Sequence, residues 1–461
     1  MKIRFAGAAE TVTGSRNIIT YGNKHVLVDA GLFQGPRDSR NLNWYPNINA
    51  KTLSAIILTH AHIDHTGLIP KLFKEGFRGR IFCTKATKDL CEIMLLDSAH
   101  LQEEDAHYAN KSGYSHHSPA LPLYGLEDAK GSLELFVSVE RETTQTILPG
   151  LTVRFTRSGH ILGSSFVELS FMIGHDYETI TFSGDLGNGR SKIIKPPCYL
   201  QETDYLVLES TYGDRLQSRI DPKISLAEII SQTANQKGVL VIPAFTVGRT
   251  QDLLHLIKLL EEEKSIPTLP VFVDSPMANA ANKIFLNHPE EHLLMMENGI
   301  LVAPISPSQF NAVTSMEDSK ALMKKEGPMI IITASGMLTG GRIMHHLKER
   351  LPDSKNIILF VGFQAMNTKG RLLQEGLKTL RIHHEEIPVN AEIKTIDGLS
   401  AHADYQDTLD WLSHLKRRPK MIFINHGEKI AALALKKKIE ERFNFPCYVP
   451  RYMEEIEIGL N

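Results

Sequence analysis

Three histidines and an aspartate crowd into six residues at His60-Ala61-His62-Ile63-Asp64-His65. Imidazole nitrogen and carboxylate oxygen are the donors that zinc and its neighbours accept. His60 and His62 alternate, so both can lean to one side. Asp64 and His65 are adjacent and more naturally reach a different point. That spacing suits two metal ions rather than one. The plain alternative is a polar loop that happens to be rich in histidine. Against it, similar residues recur downstream at His160, Asp185, Glu209, His402 and His426.

These residues need elements to position them. Ala55-Ile56-Ile57-Leu58 is an apolar run of the kind a strand buried on both faces shows, and it delivers the histidine cluster to the following loop. Asp29 also ends an apolar run, Val26-Leu27-Val28. A turn-capping role and a role orienting a metal-binding histidine both fit it. His160 and Asp185 each lie between glycines, in Gly159-His160-Ile161-Leu162-Gly163 and Gly184-Asp185-Leu186-Gly187, where a side chain can come close to the backbone. Glu209 and His426 close the apolar runs Tyr205–Leu208 and Met421–Ile424.

The texture changes after residue 210, where helical patterns alternate with apolar runs at Val239–Pro243, Val271–Asp274 and Met329–Ile332. That alternation predicts a parallel-sheet α/β unit over 211–384. Short strands precede it at 1–210 and return at 385–461. Three loops in the α/β unit resemble phosphate cradles. They are Phe245–Thr250 with Arg249, Ala334–Arg342 with Ser335, Gly336 and Arg342, and Gly362–Arg371 with Lys369 and Arg371. Any one of them reads equally well as an ordinary turn with a surface cation. Three together point to anion binding.

Composition sets limits. The 461 residues are 42% hydrophobic and 23% charged, which suits two or three globular domains and argues against extensive disorder. No apolar run approaches the length of a membrane span, so no membrane partner is expected. The first residues lack a signal-peptide pattern, and the four scattered cysteines form no CxxC pair, so a cytoplasmic location is expected. A net charge of −2 excludes a surface basic throughout, so any polyanion must be held locally. His100 and His107 read as solvated or core-edge helix positions rather than ligands, whereas the pair His116-His117 falls in a polar loop that could line a cleft.

Taken together, Asp29, the 60–65 cluster, His160 and Asp185, followed by Glu209, His402 and His426, resemble the metallo-β-lactamase superfamily and, within it, the β-CASP nucleases. The nearest likeness is to prokaryotic relatives of the endonuclease subunit that cleaves pre-mRNA 3′ ends. The resemblance covers nearly the whole chain. It implies a four-layer αββα sandwich with an inserted α/β β-CASP domain that covers the active site like a lid. It also implies two Zn2+ ions. His60, His62 and His160 would hold one, Asp64, His65 and His426 the other, with Asp185 bridging and Asp29 in support. His426 at the third β-CASP position favours RNA over DNA. A further C-terminal domain of the ribonuclease J kind is not expected.

The expected activity is hydrolysis of single-stranded RNA by a metal-activated hydroxide, endonucleolytic, with exonucleolytic cutting left open. His402 is the candidate general acid, held by Glu209, and Asp64 could orient the nucleophile. A homodimer is an expectation from relatives. The competing readings are a DNA-processing nuclease of the same family, a thioester or lactam hydrolase of the same fold, and a catalytically dead RNA scaffold. The hydrolase leaves residues 211–384 without a task, and the scaffold is at odds with a complete set of ligands.

Overall fold

The computed structural model describes the chain apart from residues 36, 113–117, 175, 295, 298–299, 302–304, 367 and 460–461, so His116 and His117 lie outside the described residues. The chain divides into two compact units. One comprises Met1–Gly189, Pro196–Leu216 and His402–Asn461, and the other Arg190–Lys195 and Gln217–Ala401.

The first unit contains two seven-stranded sheets. In one, Lys24–Val28, Leu53–Ile57, Arg80–Cys83 and Phe136–Ser138 run parallel. In the other, Asp176–Phe182, Tyr205–Leu208 and Met421–Ile424 run parallel as direct neighbours. The sheets face each other across a common core. Val26, Val28 and Ile57 from one meet Val153, Phe155, Val167, Phe182 and Val207 from the other. Each such buried side chain contributes about 1.5–3 kcal/mol of transfer free energy.

The period of two along a strand divides the second sheet's residues between two cores. Tyr205 and Val207 face the first sheet. Leu206, Leu208, Ile422 and Ile424 face outward, where Leu409, Trp411 and Leu412 of helix Tyr405–Leu412 and Leu435 and Ile439 of helix Lys429–Phe443 cover them. A strand apolar on both sides is what a covered sheet demands. Helix Lys85–Ser112 packs on strand Phe136–Ser138 of the first sheet and on helix Leu126–Leu133. The result is the expected αββα sandwich.

The second unit is built on a six-stranded sheet, all of it parallel, in the order Phe310–Val313, Val271–Asp274, Met329–Thr333, Val239–Pro243, Ile357–Phe360, Glu392–Thr395. Leu240 and Ile242 point to a core shared with helices Pro222–Gln236 and Arg249–Glu262, and Val239 and Val241 to one shared with helix Arg342–Arg350. The change of texture along the chain predicts an end to this domain at 384. The unit continues to Ala401, because Glu392–Thr395 pairs with Ile357–Phe360 as an edge strand of its sheet. Among the described residues, no helix is long and apolar enough to cross a membrane.

Candidate metal centre and active site

Parallel strands release their chains at the same edge of a sheet, so residues distant in sequence arrive together. In the first unit Asp185, Glu209 and His426 follow the neighbouring parallel strands Asp176–Phe182, Tyr205–Leu208 and Met421–Ile424. Asp29 and His60 follow the parallel pair Lys24–Val28 and Leu53–Ile57. Asp64 and His65 lie on the short helix Ile63–Thr66. Its backbone is held by Ser15 N–H donating to Asp64 O (2.8 Å) and Ala30 N–H donating to His65 O (2.7 Å). Gly31 packs directly on this turn, and a Cβ there would stand 1.6 Å from Asp64 O.

Two donor groups result, each with its ligand atoms within 4.8 Å of one another: His60, His62, His160 and Asp185, and Asp64, His65 and His426. Asp185, Glu209 and His426 form a third, overlapping group at the same spacing. Asp185 reaches both main groups. Its Oδ2 lies 3.4 Å from His60 Nε2 and 3.3 Å from His160 Nε2. Its Oδ1 lies 3.3 Å from His65 Nε2 and 3.6 Å from His426 Nδ1. His62 Nδ1 stands 3.1 Å from His60 Nε2 and 3.3 Å from His160 Nε2.

Asp29 lies behind the cluster. Its Oδ2 takes the Nδ1–H of His65 at 2.7 Å, and its Oδ1 accepts the backbone N–H of Thr59 at 2.8 Å. With Nδ1 engaged, His65 turns its Nε2 toward the other donors, 3.2 Å from His426 Nε2 and 3.3 Å from a carboxylate oxygen of Asp185. Burial alone would lower this ring's pKa, but Asp185 and then Asp29 raise it well above the ordinary imidazole value. Lone pairs in such contact repel unless a proton or a metal ion lies among them, and the carboxylates that raise His65 draw either one. Asp185 Oδ1, though buried, accepts no hydrogen bond among the described residues. Imidazoles and carboxylates arranged this way fit divalent metal.

The electrostatics of the first donor group and of the two carboxylates agree. Burial lowers His60 and His160, and together with the neighbouring His60 it pushes His62 down to about 3, so these rings are neutral donors at pH 7. Burial also opposes charge on Asp185 and Asp64. The surrounding imidazoles, His426 foremost, nevertheless hold both carboxyls below the ordinary carboxylate range. Asp29 and His426 have left-handed φ of +60° and +47°, an uncommon conformation for residues with a Cβ and one that recurs at functional sites.

Beside the donors, His402 Nδ1 bonds the Glu209 carboxylate, and its Nε2 stands 3.9 Å from Asp185 Oδ2. Burial alone would lower His402, but Glu209 and then Asp185 raise it to about 9. Glu209 is fixed by the Leu186 N–H (2.5 Å) and the Thr211 hydroxyl (2.6 Å). Thr59 and Thr211 touch the site, and nothing in the sequence marked either beyond their place next to His60 and two residues after Glu209.

In the second unit the three cradle-like loops follow adjacent strands and meet around Phe245, whose ring lies against Gly336 and Gly362. Their cations differ. Arg249 is buried and paired with Asp252 at 2.9 Å. Arg342 donates to Asp274 Oδ1 (2.7 Å) and to the carbonyls of Val313 and Thr314. Arg371 pairs with Glu375 one turn on. Lys369 is half-buried, and burial lowers its pKa. Ser335 Oγ accepts the N–H of Thr339. Asn367 in the third loop lies outside the described residues. His100 and His107 are exposed, the solvated of the two readings the sequence allows.

Comparison with known proteins agrees with this architecture. Residues 17–227 match the metallo-beta-lactamase superfamily, residues 250–373 the Beta-Casp domain, and residues 386–450 the Zn-dependent metallo-hydrolase RNA specificity domain. The chain is 34% identical over 450 residues to ribonuclease TTHA0252 of Thermus thermophilus, covering 96% of each protein. It is 31% identical over 473 residues to transcription termination factor FttA of Methanocaldococcus jannaschii, covering 99% of this chain and 72% of that one. A crystal structure of a protein of unknown function from Enterococcus faecalis shares the fold at 12% identity and a TM-score of 0.51, over 99% of both chains. The chain belongs to the β-CASP branch of the metallo-β-lactamase superfamily and is a metal-dependent hydrolase.

Proposed function

We propose that this protein is a zinc-dependent ribonuclease that cuts single-stranded RNA internally by hydrolysis of its phosphodiester bonds. The observation that carries the reading is the pair of donor groups sharing Asp185, with the His402–Glu209 dyad alongside. His60, His62 and His160 would hold one zinc ion. Asp64, His65 and His426 would hold the other, and Asp185, whose two oxygens each face a different group, would serve both. When bound, the ions supply Lewis acidity, acidifying the attacking water and offsetting charge on the phosphoryl oxygens.

The chain's own residues do the rest. Asp29 fixes His65 through its Nδ1–H. Asp64 orients the attacking water. His402, held by Glu209, gives its Nε2 proton to the leaving oxygen as the phosphorus–oxygen bond breaks. RNA as substrate is supported by the RNA specificity match over 386–450, which includes His402 and His426, and by the ribonuclease among the relatives. Ser335, Gly336, Lys369 and Arg371 contact RNA phosphates. Arg249 and Arg342 instead brace the loops that carry those contacts, because their guanidinium groups are committed to Asp252 and Asp274. The four cysteines are free thiols, in keeping with a cytoplasmic enzyme.

The test is direct. Zinc-loaded protein is incubated with end-labelled single-stranded RNA, the matching DNA and a thioester. Internal RNA fragments with little loss of DNA or thioester support the reading. DNA cleavage at equal rate, or thioester hydrolysis alone, overturns it.

A further inference from the structure

We propose that Thr59 is a positioning residue. Its hydroxyl carries the influence of Asp29 to His60 and fixes that ring with hydrogen on Nδ1 and a lone pair on Nε2. The inference rests on the metal centre proposed above. Thr59 Oγ1 lies 3.0 Å from each oxygen of Asp29 and 3.0 Å from His60 Nδ1. A hydroxyl has one proton. Between a carboxylate, which only accepts, and a ring nitrogen, which can do either, that proton goes to the carboxylate. The oxygen is then left to accept, so His60 Nδ1 must donate. Its Nε2 therefore faces His62 and Asp185 as a lone pair.

The hydroxyl has little freedom to do otherwise. Thr59 N–H donates to Asp29 Oδ1 and Thr59 O accepts from Ser165 N–H (2.9 Å), so the backbone is fixed on both sides. Gly184 lies against the side chain, and a Cβ there would stand 2.6 Å from Thr59 Cβ. One buried carboxylate thus sets a histidine in each donor group, His65 directly and His60 through Thr59. Partners of this kind change metal affinity by roughly 10–100-fold when removed.

Thr59→Val keeps the shape and removes the hydroxyl, whereas Thr59→Ser keeps the hydroxyl and removes a methyl group. Long-range 15N–1H spectra of metal-free, 15N-histidine-labelled protein at pH 8 report the His60 tautomer, and competition titration reports zinc affinity. The expected result is Nδ1–H at His60 in the parent and in Thr59→Ser, and a mixed or Nε2–H ring in Thr59→Val with zinc affinity about 10-fold or more lower. His65 keeps its Nδ1–H in all three. An unchanged His60 tautomer in Thr59→Val overturns the inference, as does an equal change in Thr59→Ser, which would assign the effect to packing. Circular dichroism checks that each variant is folded. If Thr59→Val does not fold, a mixed or Nε2–H ring in the folded Thr59→Ser or parent protein overturns it instead. Tautomers as expected in protein that binds no zinc would support this inference and sink the zinc reading.

Discussion

His402 Nδ1 lies 3.0 Å from Oε1 of Glu209 and 3.1 Å from Oε2, a forked contact that leaves Nε2 as the only ring nitrogen facing the donor cluster. Neither oxygen of Glu209 can turn away easily, since Leu186 N–H and the Thr211 hydroxyl hold them. This arrangement aims one proton. His402→Ala should keep its zinc by elemental analysis and lose about 10²–10⁴-fold in kcat on RNA. On an activated diester whose leaving group needs no proton, the loss should be much smaller. Equal losses on both substrates would remove His402 from acid catalysis.

Asp185 contacts both donor groups, one through each oxygen, so its neutral isostere should disturb both. Asp185→Asn keeps the volume and removes the charge that faces five imidazoles, those of His60, His65, His160, His426 and His402. Bound zinc should fall to one equivalent per chain or fewer after dialysis, and hydrolysis should fall with it. Two retained equivalents would show that Asp185 does not bridge.

Much of this site was readable beforehand because strand ends are readable. An apolar run that stops at His60, Asp185, Glu209 or His426 marks both the strand and the residue it presents, and parallel pairing then gathers those ends. The roles of Thr59 and Thr211 depend on contacts with Asp29 and Glu209 that no local pattern encodes. The same holds for the loop arginines. Arg342 looked like an anion ligand in its Gly-Gly-Arg setting, yet its acceptors come from Asp274, Val313 and Thr314, far away in sequence. The short-strand style of Glu392–Thr395 points to the closing segment, but edge-strand pairing decides its place.

Asp274 gives the second unit its own pH dependence. It is fully buried and receives hydrogen bonds from Ser319 (2.7 Å), Arg342 (2.7 Å) and His346 (2.6 Å). Burial alone would raise its carboxyl, but His346, Ser319 and Arg342 together hold it below the ordinary range. A carboxyl lowered in the folded state stabilises fully above its unfolded pKa of about 3.9 and loses that contribution as pH falls through the folded value. Asp274→Asn should therefore cost about 2–4 kcal/mol at pH 7 by urea denaturation, with the gap to the parent closing toward pH 3. Metal-free protein is used for both, so that loss of zinc in acid does not enter. A gap independent of pH would refute the assignment.

Lys369 and Arg249 stand in neighbouring loops but differ in what already holds them. Arg249 is buried against Asp252, whereas burial lowers the Lys369 pKa with no opposing carboxylate among its causes. A cation that meets a phosphate releases counterions, and each such contact adds about 0.7 to the slope of log affinity against log salt for a single strand. Lys369→Ala should weaken binding of a non-cleavable RNA and reduce that slope by about 0.7, with the thermal midpoint little changed. Arg249→Ala should do the reverse, lowering the midpoint because it leaves Asp252 buried without its guanidinium, while the slope holds. Fluorescence anisotropy from 50 to 300 mM salt separates the two. A slope unchanged in Lys369→Ala would take that residue out of the phosphate contacts.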